Sequence, residues 1–193
     1  MSHILYITAN PKTVDQSFSL AAAEAFVTTY QEAHPEDTIE KLDLYTSNIN
    51  FLSADNLTKM GTTEESVMRT HAEKFAAADR YIIAAPMWNF SVPAILKAYI
   101  DYVSFAGITF KYTETGPIGL LAPMNKKMMF ISASAGSYTD EATRGYNYCG
   151  TYMRAVVGFF GITDFEEICI SNTVVATDKE GAIQDARSRA LAW

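Results

Sequence analysis

Residues 4–8 read Ile-Leu-Tyr-Ile-Thr, an uncharged and nearly all apolar run, and the rest of the chain is best read outward from it. A strand that leaves one face in water alternates apolar and polar residues, whereas a strand covered on both faces is continuously apolar. Residues 4–8 are therefore expected to form a central parallel strand. Parallel neighbours cannot be joined by a tight turn and need crossover connections, usually helices, so the flanking sequence should alternate strand and helix.

It does. After a polar loop, Ala9 to Gln16, the residues Phe18, Ala22, Ala25, Phe26, Tyr30 and Ala33 recur at three- and four-residue steps up to His34-Pro35, which predicts a helix that ends at the proline. A weaker alternating strand follows over Ile39 to Leu44, then a helix over Ser66 to Ala78 and a second buried strand over Arg80 to Ala85. The next helix has Ser91 as its expected N-cap and Pro93 in its first turn. It carries Ile95, Leu96, Tyr99, Ile100 and Val103 inward and is expected to stop at Gly107. Ile108 to Gly119 combines a β-rich piece with Thr115, Gly116 and Pro117, which suggests a hairpin outside the main sheet. Lys127 to Ala133 and Phe165 to Ser171 read as strands, Tyr146 to Phe160 as a helix closed by Gly161, and Asp178 to Leu191 as a final helix. The fold class is α/β: a doubly wound, five-stranded parallel sheet with helices on both faces, and one domain spanning 1–193.

Composition narrows the function. The chain has 193 residues, 49% of them hydrophobic, enough for a full core. Its net charge of -7 would repel phosphate backbones and anionic lipid, so neither nucleic acid nor a membrane is expected as main partner. The two cysteines, Cys149 and Cys169, lack the spacing of a zinc site or redox pair. No metal is expected, and a reducing, cytoplasmic location fits. The N-terminus has no leader-like pattern, and no apolar run of membrane-spanning length follows.

In an open α/β sheet, ligands bind in the crevice beyond the carboxyl ends of the strands. Three loops there share a character that packing does not demand. The first, Thr8-Ala9-Asn10-Pro11 to Ser19, ends in Ser17 and Ser19 at a helix start, where free amides and hydroxyls suit a phosphate, although Ser17 could simply cap the helix. Neither a Walker lysine nor a GxGxxG follows, which argues against a P-loop and a dinucleotide unit. The second, Pro86-Met87-Trp88-Asn89-Phe90, offers stacking surface for a flat ring, or an apolar lid over the core. The third, Ala133-Ser134-Ala135-Gly136-Ser137-Tyr138, begins with small residues that let backbone approach a ligand, or that make a tight turn. The histidines His3, His34 and His71 and the thiol of Cys149 read as surface or packing residues. Stacking and phosphate contacts without a side-chain acid, base or metal cluster suggest that a cofactor carries the chemistry. A flavin mononucleotide has one phosphate and one planar redox ring.

The segments ILYITANPK from Ile4, PMWNFSVPAILKAYIDYV from Pro86, FKYTETGPIGLL from Phe110 and VGFFGITDFEEI from Val157 resemble the bacterial FMN-dependent NADH-azoreductases, also called FMN-dependent NADH:quinone oxidoreductases. The resemblance implies a flavodoxin-like sheet of order 2-1-3-4-5 and a homodimer with FMN at the interface. It implies electrons from NADH or NADPH, and ping-pong reduction of quinones to hydroquinones and of azo compounds to amines. Carried over by position, Asn10, Ser17, Phe18 and Ser19 would surround the phosphate, and Met87, Trp88, Asn89 and Phe90 would run along the ring. Ala133, Ser134, Ala135 and Gly136 would complete its contacts. Tyr112 would stand beside the substrate cavity and Phe159 would reach the partner subunit's site. The chain departs from the family at Asn10, where some members carry a serine, and at Ala133-Ser134-Ala135-Gly136, where many have a Ser-Arg-Gly-Gly type loop and where Ala135 would tolerate a positive φ poorly. The segment between Phe51 and Ser66, which helps shape the substrate entrance in the family, is short. An electron carrier of flavodoxin type, or a flavin-free interaction domain, is the rival reading.

Overall fold

The structure is a computed structural model that describes residues 1–193 apart from 63, 139, 176 and 177. In chain order the elements are β1 (His3–Thr8), α1 (Phe18–Ala33), β2 (Thr38–Asp43), α2 (Ala54–Lys59), α3 (Val67–Ala77), β3 (Arg80–Pro86), α4 (Ala94–Val103), β4 (Phe110–Thr113), β5 (Gly116–Gly119), β6 (Lys127–Ala133), α5 (Tyr148–Phe160), β7 (Asp164–Ile170) and α6 (Lys179–Ala192). The main sheet is five-stranded and parallel, in the order β2-β1-β3-β6-β7. Counted without the hairpin strands, that is the expected 2-1-3-4-5. β4 and β5 pair antiparallel outside it, as anticipated.

The continuous apolar runs are explained by what covers them. Leu5, Ile7, Tyr81, Ile83, Met128 and Phe130 face a core closed by α3, α4 and α5, while Ile4, Tyr6, Ile82, Ala84, Met129 and Ile131 face a second core closed by α1 and α6. Each inner strand thus buries both sets of side chains, and alternation disappears. Removing a ring such as Phe130 from this packing would cost roughly 3–5 kcal/mol. β2, at the edge, buries its side chains only partly.

Several boundaries differ from the sequence reading. Ser91 does not cap α4: its N–H and C=O are both engaged with Trp88, at 3.1 and 2.9 Å, and the helix starts after Pro93. Gly107 does not end it either. The last turn closes at Ser104, where the Ser104 and Thr109 hydroxyls donate to the carbonyls of Ile100 and Val103, and Gly107 lies beyond in a turn at φ 90°. α5 begins at Tyr148 rather than Tyr146, because the Asn147 side chain accepts from Gly150 N–H and residues 144–146 form a separate 3-10 turn. It ends at Gly161 as expected, with φ 101°, a conformation that L side chains rarely adopt. α2 has no apolar stripe to announce it and rests on a Ser53 capping box.

Candidate functional site

β1, β3, β6 and β7 all end toward the same rim, and β1 and β3 are neighbours from which the chain departs in opposite directions. At β1 the loop is held by side chains. Asn10 Nδ2 donates to Ser17 Oγ at 2.8 Å, Asn10 Oδ1 accepts from Lys12 N–H at 3.1 Å, and the Ser17 and Ser19 hydroxyls lie 3.2 Å apart. All three side-chain groups are buried, Ser19 completely. Ser17 also caps α1, accepting from Leu20 N–H at 3.2 Å. Capping and a polar cluster therefore coexist on one hydroxyl. The cluster sits at the positive end of a 16-residue helix.

Asn10, Ser17, Phe18 and Ser19 line one cavity of about 240 Å³, together with Met87, Trp88, Ala133 and Ala135. Five further lining residues were not among the assigned contacts: Lys12, Gln16, Pro86, Thr173 and Val174. Lys12 is the only charged residue among the described lining. Thr173 and Val174 come from the loop after β7, which no motif marks. Thr173 donates to Ser134 O through both its N–H and its hydroxyl, at 3.1 Å each.

The aromatic loop after β3 is held by backbone. Met87 N–H donates to Ala133 O at 2.8 Å, and the Trp88–Ser91 pair encloses Asn89 at φ 49° and Phe90 at φ 70°. Two successive positive φ values define a turn that prefers Asn-Gly, and here the second place is Phe. Neither the Asn89 nor the Phe90 N–H has an acceptor among the described residues. A second cavity, of about 210 Å³, is lined by Met87, Asn89, Phe90, Ser134, Ala135 and Tyr138. Met87 and Ala135 line both cavities.

The loop after β6 is not strained at Ala135, which is absent from the positive-φ residues. Its shape comes from Ser134, whose N–H donates to Ile170 O and whose hydroxyl donates to Gly136 O, both at 2.8 Å. Gly136 does not have a positive φ either. It leaves room for Tyr138, whose hydroxyl would stand 3.2 Å from a Cβ at that position.

Tyr112 and Phe159 are brought together through Phe110, whose ring lies 5.4 Å from the first and 4.8 Å from the second. Neither lines the two cavities of its own chain, and Tyr112 is 75% exposed. Cys149 is fully buried, and that burial pushes its thiol well above the ordinary range. His71 is partly buried, which holds its imidazole below the usual value. Among the described residues, no group of three or more His, Cys, Asp or Glu side chains is arranged to hold a metal ion. No described helix is long and apolar enough to cross a membrane.

A sequence profile described as the flavodoxin-like fold matches residues 2–193. Among curated proteins, an FMN-dependent NADH:quinone oxidoreductase of Clostridium perfringens is 46% identical over 99% of this chain and 97% of its own length. The chain belongs to this flavodoxin-like family of FMN-dependent NADH:quinone oxidoreductases. Two solved structures agree. An azoreductase from Bacillus anthracis superposes over the whole of both chains with a TM-score of 0.90 at 30% identity. An FMN-dependent NADH-azoreductase of the same species, in complex with FMN, does so with 0.87 at 31%, covering 100% of this chain and 97% of the other.

Proposed function

We propose that residues 1–193 act as one FMN-binding domain, which takes electrons from NADH or NADPH and reduces quinones to hydroquinones and azo compounds to amines. The observation that carries this reading is the adjacency of two unlike cavities that share Met87 and Ala135 in their lining, one polar at a helix start and one bordered by unpaired amides and aromatic rings. The residues fit the two ends of FMN. Asn10, Ser17, Ser19 and the start of α1 provide neutral donors for a monophosphate, and Lys12 adds one positive charge. Met87, Trp88 and Phe90 provide stacking surface.

FMN, when bound, supplies hydride acceptance from a nicotinamide and two-electron donation to the second substrate. The chain's own part is to bind, orient and stabilise. The Asn89 and Phe90 N–H groups are free to donate to a ring edge on which negative charge develops, and being fixed in advance they need no reorganisation. Neither cavity is lined by a carboxylate or a histidine, so no side-chain acid or base is assigned.

The protein is further proposed to be a cytoplasmic homodimer. Tyr112, Ile118, Tyr148 and Phe159 are exposed large apolar side chains, and a second subunit would cover them and bring Tyr112 and Phe159 to its partner's cavity as substrate-side residues. Nicotinamide and acceptor would then use the same slot in turn.

The reading is tested by reconstituting the protein with FMN, adding NADH without oxygen, and then adding a benzoquinone. Bleaching of the flavin bands followed by their return is the expected result, with parallel double-reciprocal lines in steady state. Bound flavin that NADH cannot bleach would favour an electron carrier. Intersecting lines would rule out alternating use of one slot.

A further inference from the structure

The turn at Asn89–Phe90 poses a question that the flavin reading leaves open: what keeps a phenylalanine in a left-handed conformation. At φ 70° its backbone is in a region that residues with a bulky Cβ substituent rarely occupy. Such a conformation persists only where the surroundings over-determine it. The two backbone bonds between Trp88 and Ser91 close the turn, yet they would close it equally well around glycine.

Phe90 also makes two aromatic contacts. Its ring meets Tyr138 edge-on, with centroids 5.7 Å apart at 87°, and Tyr146 at 5.6 Å and 37°. These partners come from different parts of the chain. Tyr138 belongs to the loop after β6, folded down over Gly136, and Tyr146 ends the 3-10 turn that leads into α5. Phe90, although 45% exposed, thus meets rings from two segments that are distant from its own loop in sequence.

We propose that Tyr138 and Tyr146 are positioning residues: they clamp the Phe90 ring, hold the Asn89–Phe90 turn in its left-handed form, and so keep the two free N–H groups aimed at the ligand. The inference rests on the flavin reading for what the amides face, but the clamp itself is a property of the chain without ligand. Gly136 lies under the same ring: a Cβ there would stand 3.2 Å from the Tyr138 hydroxyl, so Tyr138 would have to shift by a few tenths of an ångström.

The test is a double-mutant cycle read by amide hydrogen exchange at Ser91 in the flavin-free protein, since that N–H bonds to Trp88 across the turn. Tyr146→Ala should speed exchange about threefold to tenfold, the equilibrium shift expected from losing one aromatic pair. Phe90→Gly removes both the strain and the gripped ring, so Tyr146→Ala added to it should change exchange by less than about twofold. Tyr138→Ala should behave like Tyr146→Ala. In the FMN-loaded protein, Tyr146→Ala should shift the flavin reduction potential to more negative values, because poorly held amides stabilise the reduced ring less.

Unchanged exchange in Tyr146→Ala, or the same acceleration with and without Phe90, would overturn the clamp. Accelerated exchange with an unmoved potential would overturn its role toward the flavin. Failure of the unmutated chain to take up FMN would instead count against the flavin reading, and the exchange cycle would still decide the clamp.

Discussion

Asn10, Ser17 and Ser19 build the first cavity from side-chain hydroxyl and amide groups, whereas Asn89 and Phe90 border the second with main-chain N–H groups held in an unusual turn. The two ends of the proposed site are made by different means. Side-chain donors at a helix start are cheap to provide, since the same Ser17 hydroxyl also caps α1. Main-chain donors in a left-handed turn must be held against local preference, and the cost is met by rings brought from elsewhere. The first end is suited to setting how tightly the ligand binds, and the second to setting what the ligand does once bound.

The largest expected effect separates these roles. Ser17→Ala should weaken FMN binding by about 10- to 100-fold, since a hydrogen bond to a charged group is worth roughly 1.5–3 kcal/mol, and loss of the cap should lower stability by about 1 kcal/mol. Titration with FMN and with riboflavin reads this directly: riboflavin affinity should barely change, and an equal loss for both ligands would erase the distinction between the two ends. A smaller effect is expected of Lys12→Met, about threefold to fivefold on FMN at low salt, as befits an exposed charge. Its signature is a flatter dependence of FMN affinity on ionic strength, and an unaltered slope would remove Lys12 from the phosphate end.

Ala135→Gly probes the seam between the cavities. Because Ala135 does not have a positive φ, glycine there should relieve nothing and should destabilise by about 0.4–1 kcal/mol through the unfolded chain. A raised Tm would mean that the alanine is strained after all. Acid sensitivity is expected to arise away from both ends. Burial alone would raise the Asp37 carboxyl, but hydrogen bonds from the Ser2 N–H at 2.5 Å and the Tyr30 hydroxyl at 2.7 Å hold it below the ordinary carboxylate value. Its contribution is therefore present above about pH 4 and is lost as pH falls through the depressed native value. Asp37→Asn should flatten the acid limb of a stability profile measured by urea unfolding; a profile identical to the unmutated protein would assign that limb to other groups.

How much of this was legible in the sequence follows the same division. Strand burial is written in continuous apolar runs, so Ile4 to Thr8, Arg80 to Ala85 and Lys127 to Ala133 located the sheet to within a residue. Side-chain chemistry at the start of α1 was equally readable, and the structure gathers Asn10, Ser17 and Ser19 as the sequence suggests. Backbone conformation was not. Nothing in Trp88-Asn89-Phe90-Ser91 announces two positive φ values, because the glycine that usually marks them is missing, and the same turn removed Ser91 from the cap of α4. Ala135 misled in the opposite sense: its resemblance to a glycine-bearing loop implied strain where the observed loop has none. Thr173 and Val174 escaped notice because their place depends on the register of β7 beside β6, which brings an unremarkable loop against Ser134.

The most direct test of the division between the two ends is to titrate the unmutated protein with FMN and with riboflavin under one set of conditions. FMN binding at least tenfold more tightly than riboflavin is the predicted result, because in the proposed site only FMN would bring a charged group to Ser17, Ser19, Lys12 and the start of α1. Equal affinity for the two flavins would contradict it, and would mean that the polar cluster at β1 caps a helix and holds no phosphate.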